Sequence, residues 1–198
     1  MIDLLRCPRA HEETWLVAAF HTMDGRFIVE GKLGCPICNA SYDIVDGVAR
    51  FGGKASEAFA PNVSAESVMR TAALLNLARP GLLAVLCGSE ASAADDLSQL
   101  TQSRVIAINP TVSLEDTERV GTIVTDERIP LAAASVDAIA IGDCQFLLSD
   151  ALRVLRPSGR LTVSSVMETP PGFRELARDD QCIVAEAIGP LVGLQRGV

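Results

Sequence analysis

The alternation of apolar and polar positions changes character once along the chain, near residue 54. Before that point, short apolar runs are separated by turn residues. Residues 15–20 read as a strand, Met23-Asp24-Gly25-Arg26 as a turn, and residues 26–30 as the returning strand. Residues 40–45 and 48–51 flank Asp46-Gly47, a dipeptide suited to a two-residue hairpin loop. After residue 54, helical and extended patterns alternate. Residues 64–79 carry a helical apolar period, with Ser64 as N-cap, Ser67 three residues on, and Pro80 as the stop. Residues 82–86, 104–108, 122–124, 136–141 and 161–166 are apolar enough to be strands, and the unbroken runs among them suit burial on both faces. Further helices are expected over 91–100, 146–155 and 173–187.

Strands of this kind alternating with helices predict a doubly wound parallel α/β sheet. The expected organisation is therefore a small β-rich unit over residues 1–54 and an α/β unit over residues 55–198, hinged at Phe51-Gly52-Gly53-Lys54-Ala55-Ser56. About fifty residues bury little core, so the first unit needs a metal or a neighbour to stay folded.

Composition narrows the function classes. The 198 residues are 48% hydrophobic and 21% charged, which excludes disorder. Seventeen basic against twenty-five acidic residues give a net charge of -8, and only Lys32 and Lys54 are lysines. Such a surface opposes a phosphate backbone or an anionic membrane, so neither nucleic acid nor membrane is an expected partner. No apolar run reaches the roughly 18 residues of a spanning helix. The first residues lack the basic start and apolar stretch of a secretory signal, and a cytoplasmic location is expected.

Three of the six cysteines lie in the first unit. Cys35-Pro36-Ile37-Cys38 places two thiols on one tight turn, from which both can reach a single tetrahedral ion. The partner turn, Cys7-Pro8-Arg9-Ala10, has alanine where a second cysteine would complete it, but His11 follows. Cys7, His11, Cys35 and Cys38 are thus the candidate ligands of a Cys3His zinc site, a structural one because four protein ligands leave no open position. A ribbon that holds no ion is the other reading. A redox role for the CxxC pair would want a helix after it, where a strand is expected.

These segments carry a first resemblance. Leu4-Leu5-Arg6-Cys7-Pro8, Gly31-Lys32-Leu33-Gly34-Cys35-Pro36-Ile37-Cys38 and Tyr42-Asp43-Ile44-Val45-Asp46-Gly47-Val48 resemble a small zinc-ribbon family. Its members include an activator subunit shared by several tRNA and translation-factor methyltransferases. The sequence departs from that pattern at Ala10 and His11.

The second unit resembles class I S-adenosylmethionine-dependent methyltransferases. Residues 151–161 (ALRVLRPSGRL) look like that family's helix, proline–glycine turn and fifth strand. Asp126-Glu127-Arg128-Ile129-Pro130-Leu131 and Ser135-Val136-Asp137-Ala138 look like its adenine-contacting loop and fourth strand. The resemblance implies S-adenosylmethionine as cofactor. Aligned on Cys87-Gly88, however, Ala84 stands at the family's acidic position, Leu86 at its first glycine and Glu90 at its last. Asn109 stands where a ribose-binding acid ends the second strand, and Asp126 keeps its type. Gly88, Asn109 and Asp126 are the vestigial cofactor-binding positions, the replacements count against cofactor binding, and no residue is assigned a catalytic role. Asp143 is expected to cap the following helix.

With residues 173–187 read as a helix, the family's last two strands are missing and the fold is a truncated Rossmann-like one. The fifth strand would then be an open edge, covered by a second copy, a protein partner or the tail. Three functions follow: a non-catalytic scaffold, regulatory or accessory subunit; an active methyltransferase on an unknown substrate; or an activator of a separate methyltransferase.

Overall fold

The computed structural model describes residues 2–25, 27–53, 63–114 and 117–188. Arg26 of the expected first turn, the hinge beyond Gly53 and the tail from Gly189 lie outside them. The strands form one eleven-stranded sheet. β1 (Val17–Asp24), β2 (Phe27–Gly34), β3 (Ser41–Val45) and β4 (Val48–Arg50) make an antiparallel meander. The parallel part is β5 (Leu83–Cys87), β6 (Arg104–Ile108), β7 (Val120–Val124), β8 (Val136–Ile141) and β9 (Leu155–Ser164). β4 pairs in parallel with β7, Ala49 opposite Ile123, and so joins the two parts in one sheet. The boundary near residue 54 marks a change of structure type inside a continuous sheet.

The order β7-β6-β5-β8-β9 reverses between β5 and β8. The carboxyl ends of those two strands therefore flank the crevice in which doubly wound sheets hold ligands. α1 (Ala65–Leu74) begins at Ser64, whose side chain accepts from the Ser67 amide while Ser67 returns the bond, a reciprocal cap. α2 (Ala94–Thr101) follows a 3-10 turn, and α3 (Leu148–Val154) runs straight into β9.

Residues 173–187 correct the sequence reading. They form a hairpin of β10 (Phe173–Arg178) and β11 (Cys182–Ala187) instead of a helix. β11 lies antiparallel on β9, Ile183 opposite Val163, and β10 lies outside it. The fifth parallel strand is therefore no edge, and the sheet is not truncated in the way expected. Phe173-Arg174-Glu175-Leu176-Ala177-Arg178 is rich in helix formers, but pairing with β9 overrides local propensity. Asp179 makes the turn: its Oδ1 accepts from the Gln181 and Cys182 amides at 2.9 and 2.8 Å.

Alternation along the strands sorts side chains by size. Ala84, Leu86, Ala107, Ala138 and Ala140 face α1 and α2, mostly as alanines that let the helices approach closely. Val85, Ile106, Ile108, Ile123, Ile139 and Ile141 face the other way and need a thicker cover. The first sixteen residues help to supply it. Leu5 bridges antiparallel to Leu131, the Arg6 amide donates to the Pro130 carbonyl at 2.9 Å, and Leu5 and Leu16 enter the core. Leu5 has no solvent exposure. Leu5→Ala is expected to destabilise the whole chain by about 2–5 kcal/mol, because the cavity opens under the sheet and not in a separable module. Chemical denaturation followed by circular dichroism measures it; a loss confined to β1–β4 would contradict the shared core.

Candidate functional site

The four candidate ligands converge. Cys7, His11, Cys35 and Cys38 bring their ligand atoms within 4.8 Å of one another. Local chemistry explains the arrangement. The Asn39 amide donates to the Cys35 carbonyl, the Cys35 amide to the Ala40 carbonyl, and Asn39 takes a left-handed φ of 55°, so the turn folds both thiols to one side. Opposite it, the Cys7 amide donates to the Thr14 carbonyl, closing the loop that carries His11.

Spacing within the cluster tests the fit to a metal. With metal–sulfur bonds of about 2.3 Å, metal–nitrogen bonds of about 2.0 Å and tetrahedral angles, sulfurs lie about 3.8 Å apart and sulfur and nitrogen about 3.5 Å. Cys7 Sγ and Cys38 Sγ are 3.7 Å apart, and Cys35 Sγ and His11 Nε2 are 3.4 Å apart. His11 Nδ1 lies 2.6 Å from the Glu12 carbonyl, which requires the proton on Nδ1 and leaves the Nε2 lone pair facing the thiols. Tyr42 Oη, 3.4 Å from Cys7 Sγ, supports a charged sulfur there. The residues fit.

The protonation chemistry is graded. Burial pushes the Cys35 thiol up, but the amides of Cys38 and Ile37 outweigh it and bring the group down to about 7. Burial raises Cys7, against the hydrogen bond from Tyr42. Burial and the neighbouring Cys7 both hold the Tyr42 phenol protonated.

The loop that carries Cys7 and His11 also grips the α/β unit. Glu13 Oε2 accepts from the Ala133 amide at 2.8 Å, and Arg6 lies buried with its guanidinium 2.6 Å over the Trp15 ring. Residues 129–131 are held from below as well. Asp150, buried in α3, accepts from the Ile129 amide at 2.9 Å and from Arg153 Nε at 2.7 Å, while Arg153 donates to the Ile129 and Leu131 carbonyls.

Gly88, Asn109 and Asp126 lie side by side at the carboxyl ends of β5, β6 and β7 or just beyond, so the sheet does assemble them on one rim. Each is engaged within the chain. Gly88 has φ +66°, and a Cβ on it would fall 1.9 Å from Asp143 Oδ1. That carboxylate crosses the crevice from β8 and accepts from the Ser89 amide at 2.7 Å. Asp143 therefore caps the turn after β5, not the helix that follows it in sequence. Asn109, buried, turns inward: Nδ2 donates to the Thr125 carbonyl at 2.8 Å and Oδ1 accepts from the Thr125 amide at 2.9 Å. Asp126 is exposed, with Gly52 folded so closely over it that a Cβ there would come 2.5 Å from Oδ1.

Charge in the crevice is negative. Burial raises the Glu90 carboxyl, Arg70 opposes the shift and Asp143 adds to it. Burial first, then Cys144, Asp143 and Glu90, keep Cys87 a thiol well above its ordinary range. Cys87 and Cys144 are buried thiols. Cys182 is half-buried at the β10–β11 turn, 3.6 Å from Arg70. On this rim the Asn109 side-chain amide is engaged by Thr125, and the Asp143 carboxylate accepts from the backbone donor beside Gly88. The contacts of Tyr42 with Cys7 and of Asp143 with Ser89 had no signal in the linear spacing, because each joins residues distant in sequence.

No family model matches the chain, and no curated protein matches it. Solved structures resemble it in part. They include a geranyl diphosphate methyltransferase in complex with SAM, at 16% identity over 49% of this chain and 47% of that one, TM-score 0.40. A phosphoethanolamine N-methyltransferase of Haemonchus contortus is 18% identical over 54% of this chain and 29% of that one, TM-score 0.43. The cyclase SpnF is 16% identical over 50% of this chain and 43% of that one, TM-score 0.41. The chain spans less than half the length of each of these structures. The strand order and the crevice position given above show a doubly wound α/β sheet.

Proposed function

We propose that this protein is a non-catalytic, methyltransferase-like accessory or scaffold subunit whose Cys7–His11–Cys35–Cys38 cluster holds a structural zinc ion. The observation that carries the first part is the Asp143 carboxylate on the Ser89 amide, with Asn109 turned in to Thr125. Together they occupy or withdraw the polar groups a nucleoside ligand would use. Zinc bound by four protein ligands would cross-link the loop of Cys7 to the β2–β3 turn and supply no catalytic position. Cys7, Cys35 and Cys38 would bind it as thiolates and His11 through Nε2. The ribbon's activator-like role is then exercised in cis, since β4 already extends the sheet at β7.

Calorimetric titration with S-adenosylmethionine tests the reading. No heat is expected up to millimolar ligand, where free energies of binding are weaker than about 4 kcal/mol. Micromolar binding would overturn the non-catalytic assignment and favour an active methyltransferase.

A further inference from the structure

At the opposite end of the sheet from the crevice lies a cleft of about 410 Å³ that the function above leaves unused. Its walls come from the chain entering β5, the first residue of β6, and the segments around β8 and β9. Three guanidinium side chains line it, those of Arg79, Arg104 and Arg156. Three arginines against Asp137 in the lining and Asp3 beside it leave one positive charge in excess, in a chain with a net charge of -8.

The charges in this cleft are incompletely matched. Asp137 is the one carboxylate among the lining residues, and both its oxygens are in use: Oδ1 takes Arg156 at 2.6 Å and Oδ2 the Leu83 amide at 2.8 Å. Arg104 makes an ion pair with Asp3 at 3.6 Å in which both side chains stay solvent-exposed, so the pairing is weak. Arg79 is exposed and has no ion-pair partner among the described residues. One face of the cleft is apolar, from Leu4, Leu82 and Leu83.

We propose that this cleft binds the phosphate group of a small phosphate monoester. Guanidinium groups present planar donor pairs that match phosphate oxygens two at a time. A bare oxyanion would fill only a fraction of the volume, given that a water takes about 30 Å³, and the cleft is within the roughly 300–1,000 Å³ range of small-molecule sites. The leucine face takes the esterified carbon skeleton. Phosphate lodges between Arg79 and Arg104, with Arg156 remaining on Asp137.

Calorimetry on the full chain at constant ionic strength, with glycerol phosphate and inorganic phosphate as probes, tests the site. Saturable binding of glycerol phosphate is expected, weakened about tenfold or more in Arg79→Ala and in Arg104→Ala. It should be unchanged in Arg119→Ala, an exposed arginine outside this cleft. Inorganic phosphate binding as tightly as the ester would keep the phosphate site and assign its source to the free ion. Absence of heat with either probe, equal weakening in Arg119→Ala, or equal binding of sodium chloride at matched ionic strength would overturn the proposal. Arg79 lies on the surface after α1, so its substitution leaves the core intact.

Discussion

With the zinc proposed for the Cys7–His11–Cys35–Cys38 cluster in place, chelating it is expected to lower the thermal midpoint by about 10 °C and to change the fluorescence of Trp15. The size follows from where the ligands sit. Cys7 and Cys35 are buried in the same apolar cluster as Leu5, Leu16 and Leu33. Losing the ion would release the loop of residues 7–14 at the point where it enters that cluster. Structural zinc in free-standing small modules is worth about 10–16 kcal/mol. Here Leu5, Glu13 and the Trp15–Arg6 stack also hold the loop, so a smaller share, about 3–5 kcal/mol, is expected to depend on the ion. At about 2–4 °C per kcal/mol for a chain of this length, that is about 10 °C. Trp15 is the single tryptophan, and its ring lies on Arg6, beside Cys7, so it reports the loop directly. Cys35→Ser should reproduce the effect, and Cys182→Ser, outside the cluster, should not. Protein that purifies without zinc and gains no stability on adding it would refute the metal assignment.

Removing the Asp150 carboxylate is the second large effect. Asp150→Ala leaves the Ile129 amide without its acceptor and Arg153 with only the more distant Glu13 as counter-charge, an expected loss of about 3–5 kcal/mol. Burial alone would raise this carboxyl, but the Arg153 hydrogen bonds and charge, the Ile129 amide and Arg128 hold it below its ordinary value. A depressed carboxyl contributes stability that is present above its unfolded pKa of about 3.9 and is lost as pH falls through the lower folded value. Urea denaturation at a series of pH values should therefore show the wild type losing stability below about pH 4 more steeply than Asp150→Asn. Parallel curves for the two proteins would show that the carboxylate is not the group concerned.

The two regions differ in how much of them could be read in one dimension. The convergence of Cys7, His11, Cys35 and Cys38 was legible because its information is local: a CxxC turn needs only four consecutive residues, and Cys7 with His11 lie within one loop. The same holds for the cap at Ser64, which is satisfied by Ser67 three residues later. The parallel strands were legible because burial on both faces demands an unbroken apolar run. Residues 173–187 were not, because their fate is set by the unpaired edge of β9 and not by their own helix propensity.

At the crevice, residue types identified the rim but not its state. Asn109 and Asp126 stand at strand ends in any reading of the sequence, and Gly88 permits the left-handed turn there. Their partners, Thr125, Gly52 and Asp143, follow other strands, and the pairing of β6 with β7, of β4 with β7 and of β5 with β8 brings them into range.

Local rules thus sufficed for the α/β character of the second unit and for the positions of most strands, since short-range sterics, capping and side-chain periodicity act over a few residues. Contacts between distant segments decided the rest: the closing hairpin on β9, the joining of the meander to β7, the occupied crevice and the arginine cleft. Backbone hydrogen bonds at a sheet edge and the pairing of charges across strands depend on which segments meet, and the chain's order does not contain that until it folds.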